Sequence, residues 1–243
     1  GWVAVNREVM GQSITPFVRA GFTVYSIDYP LAPECRFPGP LISVIRACSW
    51  IQRHSGSDTI TVVGDSAGGN LTTMCAAMLS NPFMLERLER CAFALGTPIY
   101  ETVPLAEWSL PSVSRVVSMY GVVDQMAWRA PCPVEEDSLI MQLLWEGTSK
   151  VLSFCFDCYA PLPLVNVSDD LHAAATASEL NPATQQFLKY LTLGDLLENE
   201  LIEQYPPTLL ICGSGDPLVL ANRKVRDLLE KKIIKKITSR SRR

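Results

Sequence analysis

Short apolar runs and one-sided helical segments alternate along the 243-residue chain. Four of the runs are rich in β-branched and aromatic residues and are bounded by Gly, Pro, Asp or Ser, which is typical of buried strands in a parallel sheet. These predicted strands are Phe22–Ile27, Thr59–Val63, Val113–Tyr120 and Thr208–Cys212. Strands of this length that are separated by helices predict βαβ units with right-handed crossovers.

Three segments are predicted to be helices, and two of them carry apolar residues at the 3–4 spacing of one helical face. The first covers residues 41–51, with Pro38 near its start and Gly56 just past its end, so its start and stop signals agree. The other two predicted helices are Ala67–Leu79 and, approximately, Leu218–Lys232. Alternation of these helices with the strands predicts an α/β fold.

The stretch 124–181 interrupts the alternation with clustered prolines, aromatics and no clean period. Long irregular stretches inside a domain usually form lids, binding loops or disordered segments. The sequence therefore predicts one α/β domain over residues 1–243 with a cap-like insertion at about 124–181. Its aromatic residues form either an apolar wall beside a site or packing against the sheet. They include Trp128, Trp145, Phe154, Phe156 and Tyr159.

Composition excludes several classes of protein. Hydrophobic residues make up 48% and charged residues 19%, so the disordered and collagenous classes do not fit. No run approaches 18 consecutive apolar residues and no signal peptide is visible, so neither a transmembrane segment nor a leader is predicted. Eight cysteines are too sparse for a disulfide scaffold, which favours a reducing, cytoplasmic setting.

Charge is distributed unevenly. Residues 231–243 hold seven of the 21 basic residues and none of the 25 acidic ones, so residues 1–230 carry 14 basic against 25 acidic residues, a balance of −11. An acidic body argues against nucleic acid as the main partner. The basic tail is either a solvated end or a handle for anions or a membrane surface.

The segment TITVVGDSAGGN, residues 59–70, places Gly-x-Ser-x-Gly directly after a predicted strand and directly before a predicted helix. That context is typical of a nucleophile elbow, in which Ser66 is held clear of the backbone on a strained turn and small residues such as Gly64 and Gly68 allow strand and helix to approach. The amide of Ala67 would face a developing oxyanion. A phosphate loop is the weaker alternative, because the lysine and the spacing of that loop are absent.

Two further blocks accompany this motif: DYPLAPECRFPGPL at 28–41 and YPPTLLICGSGDPL at 205–218. Together the three blocks resemble the hormone-sensitive-lipase-like (alpha/beta hydrolase fold-3) group of α/β-hydrolases. The resemblance implies an α/β-hydrolase fold, a mostly parallel sheet flanked by helices, that hydrolyses carboxylic esters of small molecules or lipids without a metal or organic cofactor. It also implies a Ser-Asp-His triad.

The resemblance assigns roles to four residues. Ser66 is the expected nucleophile, and Asp216 is the expected acid that orients the base. The amides of Ala67 and Gly1 are the expected oxyanion-hole donors. The alternative role for Asp216 is structural, as a turn or helix-capping residue before Pro217. In that case Asp124 is the first other carboxylate to test as the acid.

The chain departs from the family pattern at both ends. Gly1–Val3 looks like the end of the family's HGGG segment, and the family's histidine falls about thirty residues beyond Asp216, just past Arg243. The resemblance thus predicts a chain incomplete at both termini, which lacks the catalytic histidine and most of the oxyanion segment. The alternative is an inactive member that serves as a binding or interaction module.

Two histidines and one CxxC pair remain as candidate chemistry. His54 lies near a predicted helix end, where capping or solvation explains it, and His172 would give a Ser-His-Asp order foreign to the family. Cys155 and Cys158 lack the further ligands that a structural zinc site needs. None of the three is expected to carry the reaction.

Overall fold

A three-stranded parallel sheet forms the centre of the fold in the computed structural model. The strands are β1 (Thr59–Asp65), β2 (Ser112–Met119) and β3 (Thr208–Ile211), in the spatial order β1-β2-β3. The structure describes residues 1–97, 105–124, 139–160, 190–199 and 201–240. Because all strands run in the same direction, their carboxyl ends meet at one edge of the sheet.

Seven α-helices lie in the described parts of the chain. They are α1 (Gly11–Arg19), α2 (Gly39–Ser55), α3 (Ala67–Leu79), α4 (Pro82–Ala94), α5 (Leu139–Tyr159), α6 (Leu193–Glu198) and α7 (Val219–Arg240). Short 3-10 turns occupy Arg7–Met10 and Leu105–Glu107. Within these ranges, no helix combines the length and apolarity needed to cross a membrane.

Three of the four predicted strands and all three predicted helices are confirmed. The predicted strand Phe22–Ile27 is wrong, because that segment has no strand pairing and the Phe22 side chain is 63% exposed. Its apolar residues pack on a helix instead, since the Tyr25 ring meets the Trp50 ring of α2 edge-on at 6.1 Å. Propensity alone does not make a strand without a hydrogen-bonded neighbour.

The stretch 124–181 contains more regular structure than its sequence pattern indicates. It includes the 21-residue helix α5, whose last turn is buried at Phe156 and Tyr159. Apolar residues occur all round this helix, so they produce no one-sided period for sequence reasoning to detect. Trp128 lies outside the described residues, as does the side chain of Trp145.

The two faces of the sheet differ in their cover. Helix α3 packs on β1 and β2 and is buried on nearly all sides. On the opposite face, Val63, Leu209 and Ile211 are 39%, 55% and 47% exposed among the described residues. The register aligns Val63 with Val117 and Leu209 in one row, and Ile211 lies two residues further along β3 on the same face. Helix α3 thus fixes the strand ends from one side only.

Candidate active site

Ser66 alone joins strand β1 to helix α3, because β1 ends at Asp65 and α3 begins at Ala67. Its backbone has φ 51° and ψ −119°, a conformation that non-glycine residues rarely adopt. The Ser66 N–H donates to the Met119 carbonyl at 3.0 Å, and its carbonyl accepts from the Val122 N–H at 3.2 Å. Its side chain caps no helix N–H. The turn therefore holds the serine rigidly and leaves its hydroxyl unused by the helix.

Glycines create the space for this turn, but they are not quite the predicted ones. A Cβ on Gly64 would lie 2.5 Å from both the Gly68 carbonyl carbon and Thr72 Oγ1, so Gly64 is required. A Cβ on Gly68 would meet nothing closer than an Asp65 oxygen at 4.0 Å, so the predicted steric need at Gly68 is wrong. The second tight approach is between Gly69 and Gly121, where an added Cβ on Gly69 would lie 2.6 Å from the Gly121 Cα.

The Ala67 amide is the first N–H of helix α3 and adjoins Ser66. No residue in the described ranges accepts a hydrogen bond from this amide. Unpaired N–H groups and the helix dipole make such a terminus favourable for negative charge. Ala67 is therefore placed where the sequence predicts an oxyanion donor.

Gly1 lies at the same edge of the sheet. Its carbonyl accepts a hydrogen bond from the Tyr29 hydroxyl at 3.3 Å. Burial and then the Asp65 carboxylate raise the pKa of Tyr29 to about 12. Tyr29, whose hydroxyl contacts Gly1, is therefore an electrostatic neighbour of the Asp65 carboxylate that precedes Ser66.

Asp216 follows strand β3 in a turn that leads into helix α7. Its Oδ1 accepts from the Leu218 N–H at 2.8 Å. This local bond is the one expected if Asp216 only shapes the turn or caps the helix. Burial, and then the charge and hydrogen bond of Asp216, raise the pKa of the Cys212 thiol to about 11. Two strand spacings, about 10 Å, separate β3 from β1. Ser66 and Asp216 therefore share the carboxyl edge with β2 between them.

Tyr120 ends the central strand between these two residues, and sequence reasoning missed it. It has φ 37°, rare for a bulky residue, and is 41% exposed. Its hydroxyl donates to Asp65 Oδ2 at 3.1 Å. Burial and then the charges of Asp65 and Asp216 raise its pKa. An aromatic residue at a strand end, directly before Gly121, was the available signal.

Asp124, the alternative acid, is engaged elsewhere. It is 1% exposed, and its Oδ2 lies 2.6 Å from Lys224 Nζ, which also lies 3.0 Å from Glu198 Oε1. Burial acts to lower the pKa of Lys224, but the bonds to these two carboxylates outweigh it, so the pKa is raised above its ordinary value. Because a buried carboxylate requires such a partner, Asp124 is placed as a structural ion pair.

No described histidine lies near Ser66. The His54 ring stacks on the Trp50 ring at 4.5 Å near the end of α2, just before the amino end of β1. Ser66 follows the opposite end of this seven-residue strand, about 20 Å away at 3.3 Å per residue. His172 lies outside the described residues. No group of three or more metal-ligating side chains occurs in the described ranges, and Cys155 and Cys158 are free thiols.

The end of helix α5 is fastened beside Gly1. The Tyr159 ring stacks on the Trp2 ring at 4.5 Å, and Arg36 donates to the carbonyls of Asp157 and Ala160 at 2.7 and 3.0 Å. The end of α5 thus packs against Trp2, the residue next to Gly1, and against the loop that carries Arg36. Phe156 and Tyr159 are buried in packing, whereas Phe154 is 63% exposed.

This parallel sheet, with a strained serine turn at its carboxyl edge, defines an α/β-hydrolase. The sequence model of the alpha/beta hydrolase fold family matches residues 1–129, and the chain belongs to that family. Within the family it is hormone-sensitive-lipase-like. The mouse (Mus musculus) hormone-sensitive lipase is 45% identical over 56 residues, 21% of this chain and 7% of that protein.

Longer matches come from other relatives. Lipase 2 of Moraxella sp. (strain TA144) is 30% identical over 213 residues, which cover 83% of this chain and 48% of that protein. The crystal structure of esterase B from Lactobacillus rhamnosis (HN001) superposes with a TM-score of 0.63 at 15% identity, over 95% of this chain and 58% of that chain. That likeness shows the fold. The chain thus spans about half the length of these relatives.

Proposed function

We propose that Ser66 is the nucleophile of a carboxylic ester hydrolase. In this mechanism the Ser66 hydroxyl attacks the acyl carbonyl, a base takes its proton, and the alcohol leaves with a proton returned by that base. Water then hydrolyses the acyl-enzyme. The Ala67 amide and the Gly1 amide donate to the oxyanion. The single observation that carries the proposal is the strained Ser66 turn between β1 and α3.

The proposal for the acid is Asp216. It is supported by position, since Asp216 and Ser66 follow strands of the same sheet at the same edge. The ion pair of Asp124 with Lys224 leaves Asp216 as the better candidate to orient an imidazolium. In a protein in which Asp216 performs this role, Asp216→Asn lowers turnover by a factor on the order of 10³–10⁴.

No histidine of this sequence has been assigned as the base of the triad. No histidine follows His172 in the sequence, and His54 stands at the wrong end of β1. Loss of a triad member costs on the order of 10⁴–10⁶ in rate. We therefore propose that the 243-residue chain turns over esters at little more than the background rate.

A second candidate function follows from the same observation. In this second proposal the Ser66 turn and the adjoining helix α5 bind acyl compounds without cleaving them. In either case the proposed ligand is a small-molecule ester or lipid. The insertion at about 124–181 is the proposed cap over its acyl part, and Phe154 is its exposed aromatic residue.

Acylation of Ser66 tests the first proposal directly. Purified chain and a Ser66→Ala control are incubated with p-nitrophenyl acetate, with and without added imidazole as an external base. We expect an acetyl adduct on Ser66 that imidazole accelerates, together with slow turnover. Equal adduct formation in both proteins would exclude Ser66 as the nucleophile. Fast Ser66-dependent turnover without imidazole would instead show an internal base, with His172 the first residue to replace.

A further inference from the structure

The carboxyl-terminal half of helix α7 differs from its first half. Val219, Ala221 and Val225 are at most 5% exposed and hold the helix to the core. After Leu229 the helix continues to Arg240, and Ile233 is 59% exposed. Lys232 ties the helix to the loop before β3, since it donates to the Ile202 carbonyl. The helix thus continues past the packed part of the protein with an apolar residue in solvent.

The charge of this half is extreme. Residues 231–243 carry seven basic residues and no acidic one, while the preceding 230 residues have a balance of −11. Two or three basic residues at a helix end suffice to complement its dipole. Residues 231–240 of the helix alone hold four lysines and an arginine, and they exceed that need.

The sequence positions are ordered by helical spacing. Ile233, Ile234 and Ile237 fall at intervals of one, three and four, which is one side of a helix. The remaining positions of the helix between 231 and 240 are filled mostly by Lys and Arg. A basic helix with one apolar side is the pattern of segments that lie flat on an anionic membrane surface.

We propose that residues 231–240 of α7 bind an anionic lipid surface. Lys231, Lys235 and Lys236 neutralise lipid phosphates and carboxylates, and the isoleucine side enters the interface between headgroups and acyl chains. The isoleucines favour a lipid partner: a nucleic acid or an acidic protein surface needs the charge alone, whereas the apolar side set by the sequence spacing of Ile233, Ile234 and Ile237 suits a lipid interface. This inference concerns a surface remote from the Ser66 turn and does not depend on catalysis.

Vesicle sedimentation with the full chain tests the proposal. The vesicles are pure phosphatidylcholine, or phosphatidylcholine with a minority of phosphatidylserine. We expect binding to the phosphatidylserine vesicles alone, stronger at about 0.01 M than at 0.15 M ionic strength, where the Debye lengths are about 30 and 8 Å. No binding at the lower ionic strength would overturn the proposal.

Two double variants separate charge from apolar contact. Lys235→Gln/Lys236→Gln should weaken binding about 25-fold, since each lysine near an anionic surface contributes about a factor of five. The matched control, Arg19→Gln/Lys150→Gln, removes two exposed cations from the body and should bind as the parent does. Ile233→Ser/Ile237→Ser should also weaken vesicle binding. If that variant binds as the parent does, or if duplex DNA binds more tightly than vesicles, the tail is a polyanion handle and the lipid proposal is wrong.

Discussion

Two strand-to-helix turns stand at the same edge of one sheet, and they are built differently. At the Ser66 turn the backbone has a positive φ and makes two hydrogen bonds to residues at the end of β2. Neighbouring atoms occupy the space that a Cβ on Gly64 would need. The Asp216 turn has a local capping bond to Leu218, and the nearest atom to an added Cβ on Gly213 is 3.9 Å away. Steric exclusion fixes the first turn, whereas local hydrogen bonds shape the second: the Asp216 side chain accepts from Leu218, and its backbone bonds to Gly213 and Val219.

This difference explains why a serine nucleophile is easier to recognise in a sequence than its acid. A turn built by excluded volume admits few residue types, so it leaves a motif. A turn built by an Asx bond is common throughout proteins, so an aspartate there has no unique meaning. Variants at the two turns should therefore differ in their effect on stability and on thiol reactivity.

The largest expected effect is at Gly64. Gly64→Ala would force a methyl group to within 2.5 Å of the Gly68 carbonyl carbon, which is backbone and cannot swing aside. We expect a loss of at least about 3 kcal/mol in the free energy of unfolding, measured by urea denaturation.

Gly68→Ala is the matched control, in the same motif and with the same added methyl group. Its Cβ has ordinary space and a helical position, so stability should rise or stay within about 1 kcal/mol. Similar losses in the two variants would show that the turn is not held by excluded volume at Gly64.

The second effect separates the two carboxylates. Lys224→Met removes the cation that pairs with buried Asp124 and should cost about 3 kcal/mol of unfolding free energy. Asp216→Asn keeps an oxygen acceptor for the Leu218 N–H and should cost less than about 1 kcal/mol. Arg223→Gln, at an exposed cation on the same helix, is the control. If Asp216→Asn is the more damaging change, then Asp216 is the structural carboxylate and Asp124 the better candidate acid.

The elements that could be predicted from the sequence are those specified by consecutive residues. The run from Thr59 to Leu79 gave β1, the turn and α3 together, because alternation, glycines and helical spacing all lie within one short window. The same reasoning failed at Phe22–Ile27, where apolar residues that suit a strand meet helix α2 instead of a neighbouring strand. Which surface an apolar run meets is a property of the fold rather than of the run.

The missed contacts are long-range ones. Asn70 lies in the motif, yet its buried amide donates to the carbonyls of Val122 and Leu191, 52 and 121 residues away. Arg36 likewise fastens α5 across 121 residues, to the Asp157 carbonyl. No local pattern indicates such partners, because each is specified only when distant strands and helices have assembled.

A smaller effect concerns the bond between Tyr120 and Asp65, which ties the ends of β1 and β2. Tyr120→Phe removes the hydroxyl and should cost about 0.5–1 kcal/mol at neutral pH, since the pair is partly exposed. The raised pKa of Tyr120 means that folding favours the neutral phenol. Its contribution is therefore complete below about pH 10, the pKa of a free phenol, and is lost as pH rises through the folded pKa.

Urea denaturation at neutral pH and above pH 10 checks the direction. The stability gap between parent and Tyr120→Phe should shrink at the higher pH, and in an Asp65→Asn background the gap should be small throughout. A gap that widens with pH would contradict the assignment of the hydroxyl as donor to Asp65.

The smallest effect is a reactivity change at Cys212, which reports on the Asp216 turn without any need for catalysis. Burial and the Asp216 carboxylate together raise the thiol pKa to about 11, so little thiolate exists near pH 9. Asp216→Asn removes the negative charge but not the burial, so the pKa should fall only part of the way and alkylation by iodoacetamide should accelerate several-fold. Peptide mass spectrometry gives the rate at each thiol, and Cys35, whose pKa is raised by burial alone, is the internal reference that should not change. Acceleration at both thiols would indicate loosening of the whole fold. An unchanged rate at Cys212 would place the carboxylate away from that thiol and remove the positional support for Asp216 as the acid.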